Sequence, residues 1–227
     1  MNETVTLDPA LAALRLLVYA TFADEGRPPS IAEAARRLGR QADDIRRDLR
    51  QLHDRHLLVL SRDGDAIRMA HPFSAAPMGF VVSAADRLWW GGCAWDSFGI
   101  AAAVGTDVRI DTVCPACTAP LRLDAGPAKP PGGTLVARIP LPAVRWWDDV
   151  VWTCTNIRAF CSAGHATGYA ERTSRPEGEL VPVEQLWRLA VLWYGDRLRR
   201  DYAPRAVARS QALLDEVGLA GEFWRLP

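Results

Sequence analysis

Ser30 to His71 reads SIAEAARRLGRQADDIRRDLRQLHDRHLLVLSRDGDAIRMAH. Ser30 precedes an apolar-periodic run and Glu33 follows three residues later, the pairing of a capping box, so a short helix is predicted that stops at Gly39. A second helix is predicted from about Ala42 to Arg55, with Ile45, Leu49 and Leu52 on one face. Two short strand candidates, LLVLSR and AIRMAH, follow and are joined by DGD, a strong hairpin signal. Upstream, DPALAALRLLVYATFAD (residues 8–24) carries Leu and Val at helical spacing and is stopped by the turn EGRPP. Helix, helix, helix, hairpin is the element order of a winged helix.

DNA binding is the obvious use of such a unit, and local charge weighs against it. Arg46, Arg47, Arg50 and Arg55 are matched by Asp43, Asp44, Asp48 and Asp54, whereas a recognition helix needs a basic surplus to neutralise phosphates. The formal net charge of the whole chain is zero, which argues the same way for nucleic acid and for anionic lipid. At 227 residues and 49% hydrophobic content the chain is long enough to bury a proper core. Apolar runs are interrupted by Arg, Asp or Gly, and the opening MNETVTLDPA lacks the pattern of an export leader, so no membrane span and a cytoplasmic location are expected. Five cysteines (Cys93, Cys114, Cys117, Cys154, Cys161) then imply free thiols or a metal site rather than a disulfide framework.

Beyond the hairpin, HPFSAAPMGFVV reads as an extended connector, because Pro72 and Pro77 bar helix. Ser83 is placed to cap one helix over AADRLWWGGCAWDSFGIAAAVG, closed by Gly105. Residues 107–125 and 133–141 read as short strands around turns, DDVVWTCTNIRAFCS (148–162) as a strand running toward a turn, and 182–217 as mainly helix. The expected class is α+β: a winged-helix-like domain over residues 1–80, then a mixed α/β catalytic domain over 81–227 with a helical C-terminal tail.

Within the expected helix, Cys93 and Asp96 stand at i and i+3 and would share a face. Gly91 and Gly92 would each cost about 1 kcal/mol in a helix interior, so close backbone approach or ligand access must compensate. A carboxylate beside a thiol raises the thiol pKa, which is wrong for a simple nucleophile. The pair makes better sense if a soft metal binds sulfur and the carboxylate handles a proton; the alternative is a small buried cysteine with Asp96 paired elsewhere.

CAWD at Cys93–Asp96, the preceding winged-helix pattern, Cys114, and TCTNIRAFCSAGHA from Thr153 together resemble the organomercurial lyase (alkylmercury lyase) family, and the closing LWYGDRLRRDYAPR resembles helical tails of its members. The resemblance implies that Cys93 and Cys154 bind the substrate's mercury and that Asp96 takes the proton released by a thiol and delivers it to the departing carbon. It further implies a hydrocarbon and mercury(II) as products, an external low-molecular-weight thiol as cosubstrate, no required cofactor, and a mercuric reductase as acceptor.

Other features depart from the family pattern. Cys114 and Cys117 form CPAC, and Cys161 and His165 follow Cys154, so C-x2-C…C-x3-H also reads as a zinc site. The leading expectation gives Cys114 and Cys117 a structural or incidental role and makes His165 a surface or satisfied histidine. Asn156 either orients the Cys154 segment or caps a turn. Asp148 and Asp149 read as a solvated strand entry, and Arg197, Arg199 and Arg200 as the polar face of a helix. Trp89, Trp90 and Trp95 make the expected pocket bulky. The rival functions are a thiol-based metal or redox sensor binding DNA through its winged helix, and a relative repurposed for another carbon–heteroatom bond.

Overall fold

The structure, a computed structural model, describes residues 6–227; the expectation drawn from residues 1–5 lies outside them. Helix α1 (Pro9–Glu25) opens on Asp8, whose carboxylate accepts from the N–H groups of Ala10 and Leu11, and closes on Gly26 at φ 68°. A side chain at Gly26 would strike the Leu88 carbonyl, so this glycine also lets the helix end approach the chain beyond residue 80. Helix α2 (Ile31–Leu38) is capped by Ser30, which accepts from the Glu33 N–H at 3.1 Å, and ends at Gly39. The Glu33 carboxylate does not complete the capping box and instead faces Arg27 and Arg37. Helix α3 (Ala42–Asp54) buries Ile45, Leu49 and Leu52, and strand β1 (Val59–Leu60) pairs antiparallel with β2 (Ile67–Ala70). The expected order of three helices and a hairpin is present.

The next segment corrects the single-helix reading of residues 84–105. The expected connector contains β3 (Phe73–Ser74), and β4 (Val81–Ala84) then turns through Ala85 and Asp86 into β5 (Arg87–Gly91), with Ala84 opposite Arg87 and Ser83 opposite Leu88. Ala85 takes a left-handed φ of 49°, which a two-residue hairpin turn requires. Leu88 faces solvent while Trp89 is buried, a period of two that the run of aromatic residues hides. Only α4 (Ala94–Val104) is helical, so Gly91 and Gly92 lie at the strand-to-helix junction rather than inside a helix.

Strands β6 (Val108–Val113) and β7 (Pro120–Ala125) form the next hairpin, followed by β8 (Val136–Ile139). The strand expected across residues 148–162 is overturned in its first half. Asp149 accepts from the Trp152 N–H and caps α5 (Val150–Asn156), so Cys154 lies on a helix; β9 (Arg158–Phe160) comes after it. Asp149 is therefore a helix cap, and Asp148 pairs with Arg145 at 2.9 Å. Helix α6 (Ala163–Arg172), strand β10 (Glu179–Pro182), and helices α7 (Val183–Tyr194) and α8 (Val207–Glu216) complete the chain.

The strands make a seven-stranded sheet in the order β1-β2-β3-β5-β4-β6-β7 and a three-stranded sheet β10-β8-β9, antiparallel throughout. The larger sheet runs from the N-terminal hairpin into the following residues without a break. Trp89 on β5 donates Nε1–H to the carbonyls of Phe22 and Ala23 at 3.0 and 3.1 Å, tying the end of α1 to the sheet. One hydrophobic core extends from Leu11 and Phe22 through Phe73 and Trp89 to Leu189 and Trp224. Among the described residues no helix is long and apolar enough to cross a membrane.

Candidate active site

Cys93 is the N-cap of α4, with extended backbone at φ −160°. Its Sγ accepts from the Asp96 N–H at 3.3 Å, the role a serine or aspartate oxygen usually fills, and the Ser97 hydroxyl donates to the Cys93 carbonyl at 2.7 Å. The thiol and carboxylate thus belong to one helix start rather than to one helix face. The glycines follow from this arrangement. A Cβ at Gly91 would overlap Ser97 Oγ, and one at Gly92 would overlap Asp96 Oδ2 and the Met69 methyl. Gly91 thus makes room for Ser97 and Gly92 for the Asp96 carboxylate at the strand end.

Cys154 reaches the same place from the last turn of α5. The Ala94 N–H donates to the Ile157 carbonyl at 3.1 Å and thereby fastens the start of α4 to the end of α5. Cys154 Sγ lies 3.9 Å from Asp96 Oδ2, and Cys93 is near enough for its thiol to shift the titration of Cys154. Cys93, Asp96 and Cys154 are all buried, so the structure brings the three expected residues together.

Two further residues join them that sequence reasoning missed. His71, between β2 and β3, places Nε2 at 3.5 Å from Cys154 Sγ, and Tyr194, at the end of α7, donates its hydroxyl to Asp96 Oδ1 at 2.6 Å. The Tyr194 ring covers Gly99, where a Cβ would collide with it. Arg197 also departs from expectation: it is buried and lines the same cavity, donating to the Tyr202 hydroxyl at 2.6 Å, while Arg199 does pair with Asp201 on the surface. Asn156 is buried, accepts from Arg175 and donates to the Trp152 carbonyl at 2.7 Å, which steadies the end of α5.

The electrostatics divide the two thiols. The hydrogen bond from Cys93 lowers the Cys154 pKa most, burial opposes it, and the charge of His71 adds to the lowering. Burial pushes the Cys93 thiol well up, and its hydrogen bond to Cys154 and the nearby Asp96 charge act in the same direction. Burial works against a charge on His71, but Asp96 and Cys154 outweigh it and raise the imidazole to about 9. The surroundings therefore favour the thiolate at Cys154 and the imidazolium at His71, and disfavour the thiolate at Cys93. Burial and Asp96 raise Tyr194 well above its ordinary value, so its hydroxyl stays a donor.

These groups line a cavity of about 360 Å³. Four tryptophans line it, Trp95, Trp146, Trp147 and Trp193, with the Trp95 ring edge-on to Trp146 at 5.5 Å and to Trp193 at 5.2 Å, and Arg55, Arg197 and Arg205 also reach it. Trp95 and not Trp89 or Trp90 supplies the bulk, since Trp89 is spent on the α1 contact.

A second group of donors lies apart from the cavity. Cys114, Cys117, Cys161 and His165 bring one ligand atom each to within 4.8 Å of all the others, so His165 is not a lone surface histidine. Burial raises the Cys114 thiol, but backbone N–H groups of Cys161, Ala116 and Cys117, with His165, outweigh it and hold the thiol at about 6.

An alkylmercury lyase family model matches residues 73–195. A second family model, described as HVO_A0114, matches residues 15–76. There is no match among the curated proteins. Among solved structures, the mercury-bound form of MerB2 is similar with a TM-score of 0.63 at 19% identity, covering 86% of this chain and 92% of that one. The alkylmercury lyase match spans more than half of the sequence and contains Cys93, Asp96, Cys154 and Tyr194; the chain belongs to the alkylmercury lyase family.

Proposed function

We propose that the family's carbon–mercury lyase activity is carried in this chain by Cys93, Cys154 and Asp96, with His71 and Tyr194 positioning them. The observation that carries the proposal is two buried thiols of opposite protonation preference on either side of one carboxylate, at the floor of an aromatic cavity. Cys154, as thiolate, takes the mercury of the substrate first and displaces the thiolate or halide that accompanies the organomercury group, because soft sulfur is the ligand a thiophilic metal prefers. Cys93, still protonated, then binds the same mercury and passes its proton to Asp96. Tyr194 occupies Oδ1, which leaves Oδ2 to carry the proton. Two thiolates raise electron density on the mercury-bound carbon, and the Asp96 carboxylic acid protonates it. The electron pair of the carbon–mercury bond becomes the new carbon–hydrogen bond, leaving a hydrocarbon and bis-thiolate mercury(II).

The cavity walls support an uncharged alkyl or aryl group on the mercury, and the volume suits a small ligand of that kind. External thiol is the proposed cosubstrate that removes mercury(II), with a mercuric reductase as acceptor, and no resident cofactor enters the scheme. A reducing cytoplasm is the proposed location, since all five cysteines are free thiols. The three helices and hairpin within residues 1–80 are proposed as a winged-helix-like scaffold that braces a catalytic domain over residues 81–227: they supply His71 and the edge of the large sheet. Arg46 and Arg47 on α3 are engaged by Asp43 and Asp44 at 2.8 and 2.5 Å, which supports scaffolding over DNA binding.

The test is benzene release from phenylmercury under excess thiol, measured by gas chromatography. Wild type is expected to turn over, with Cys93→Ser and Cys154→Ser falling to the rate of free thiol. Mercury bound tightly by wild type without benzene release would reject the lyase in favour of a sensor or a repurposed enzyme.

A further inference from the structure

Two turns far apart in sequence present the second donor group. Cys114 follows β6 directly, and the chain from Cys114 to Ala119 folds into a tight knuckle: the Thr118 N–H donates to the Cys114 carbonyl at 2.8 Å, and the Cys114 N–H to the Ala119 carbonyl at 2.9 Å. Thr118 takes a left-handed φ of 60°, a costly conformation for a β-branched residue, and it turns the chain so that the sulfurs of Cys114 and Cys117 lie on the same side. The facing turn joins β9 to α6. There Ser162 caps the helix by accepting from the His165 N–H at 3.2 Å, which sets His165 in the first turn beside Cys161.

All four ligand atoms lie within 4.8 Å of one another, close enough to share one ion. Cys114 Sγ is 3.7 Å from His165 Nδ1, and Cys117 Sγ is 3.7 Å from Cys161 Sγ. Metal–sulfur bonds of about 2.3 Å and a metal–nitrogen bond of about 2.0 Å place tetrahedral ligand atoms roughly 3.5–3.8 Å apart. The donors are three thiols and one imidazole, with no carboxylate, and all four positions are filled by the protein. That set selects a borderline-soft tetrahedral ion and leaves no open position for chemistry.

We propose that Cys114, Cys117, Cys161 and His165 bind one structural zinc ion that staples the β6–β7 turn to the β9–α6 turn. The staple anchors the segment that runs back from Cys161 through β9 to Cys154, seven residues away, and is separate from the mercury-binding thiols. On this proposal Cys114 and Cys117 have a structural role as zinc ligands, the weaker alternative in the sequence because spacing along the chain does not show that the two pairs meet.

The test is metal content of the full chain, expressed with zinc supplied and purified under reducing conditions without chelator. Elemental analysis is expected to find about one zinc per chain. Cobalt(II) in its place is expected to show tetrahedral visible bands with sulfur-to-cobalt charge transfer. Cys117→Ser and His165→Ala should lose most of the metal, His165→Cys should keep it, and Cys93→Ser and Cys154→Ser should keep it too. Zinc far below one per chain, a Cys117–Cys161 disulfide in its place, or metal that follows Cys93 and Cys154 would overturn the proposal. None of these readouts depends on lyase turnover, so failure of the zinc site and failure of the lyase reading are told apart.

Discussion

In an open helix, replacing glycine by alanine gains about 1 kcal/mol of helix propensity. At Gly99 the same change would drive a methyl group into the Tyr194 ring and toward Pro72. Gly99→Ala is therefore expected to lower stability by about 1–3 kcal/mol, as overpacking does, and to reduce turnover by displacing the donor to Asp96; a gain in denaturation midpoint would show the contact to be slack. His71 makes a prediction of a different kind. Its imidazolium favours the Cys154 thiolate from the lowered thiol pKa up to about 9, where the imidazole itself loses its proton. In His71→Ala that support is gone, so the alkylation rate of Cys154 should need higher pH to reach its plateau and should fall about tenfold at neutral pH. An unchanged pH profile would mean that Cys93 alone sets the thiolate. Cys93 and Asp96 stood out in the sequence as a thiol and a carboxylate three residues apart, whereas Cys154 was singled out only through the family resemblance. His71, ahead of Pro72, and Tyr194, in an apolar helix, have no local signature; only folding brings them 83 and 98 residues along the chain to their partners.

At the scale of elements, the segment carrying Cys154 was misread because Val150, Val151, Thr153 and Thr155 are β-branched and favour strands. A single cap overrides that preference. Asp149→Ala is expected to cost about 1 kcal/mol in denaturation experiments and to loosen the Cys154 turn, visible as faster thiol alkylation. If neither quantity changes, the helix is held by Asn156 and Arg175 at its other end. The helix predicted across Gly91 and Gly92 failed for a related reason. Paired tryptophans and alanines blur period two into period 3.6, and only the pairing of β4 with β5 separates them. By contrast, α1 and α2 were legible to within a residue or so because Asp8, Gly26, Ser30 and Gly39 mark their ends, and α3 because Ile45, Leu49 and Leu52 keep helical period.

At the scale of the molecule, the α+β class and the helix–helix–helix–hairpin opening could be read from pattern, but the way the opening joins the rest could not. The seven-stranded sheet crosses residue 80, and Trp89 hydrogen-bonds the end of α1, so the N-terminal helices share one core with Cys93 and Cys154. Trp89→Phe is expected to lower stability by about 1–3 kcal/mol while leaving one cooperative unfolding transition, followed by circular dichroism. Two separated transitions would show that the N-terminal part folds as an independent unit. The central claim concerns one proton. In an acid-quenched single turnover with phenylmercury, wild type is expected to release benzene, whereas Asp96→Asn should bind the mercury through Cys93 and Cys154 and hold it without releasing benzene. Benzene released by Asp96→Asn at the wild-type rate would contradict the account, because the proton would then reach carbon without the carboxylate.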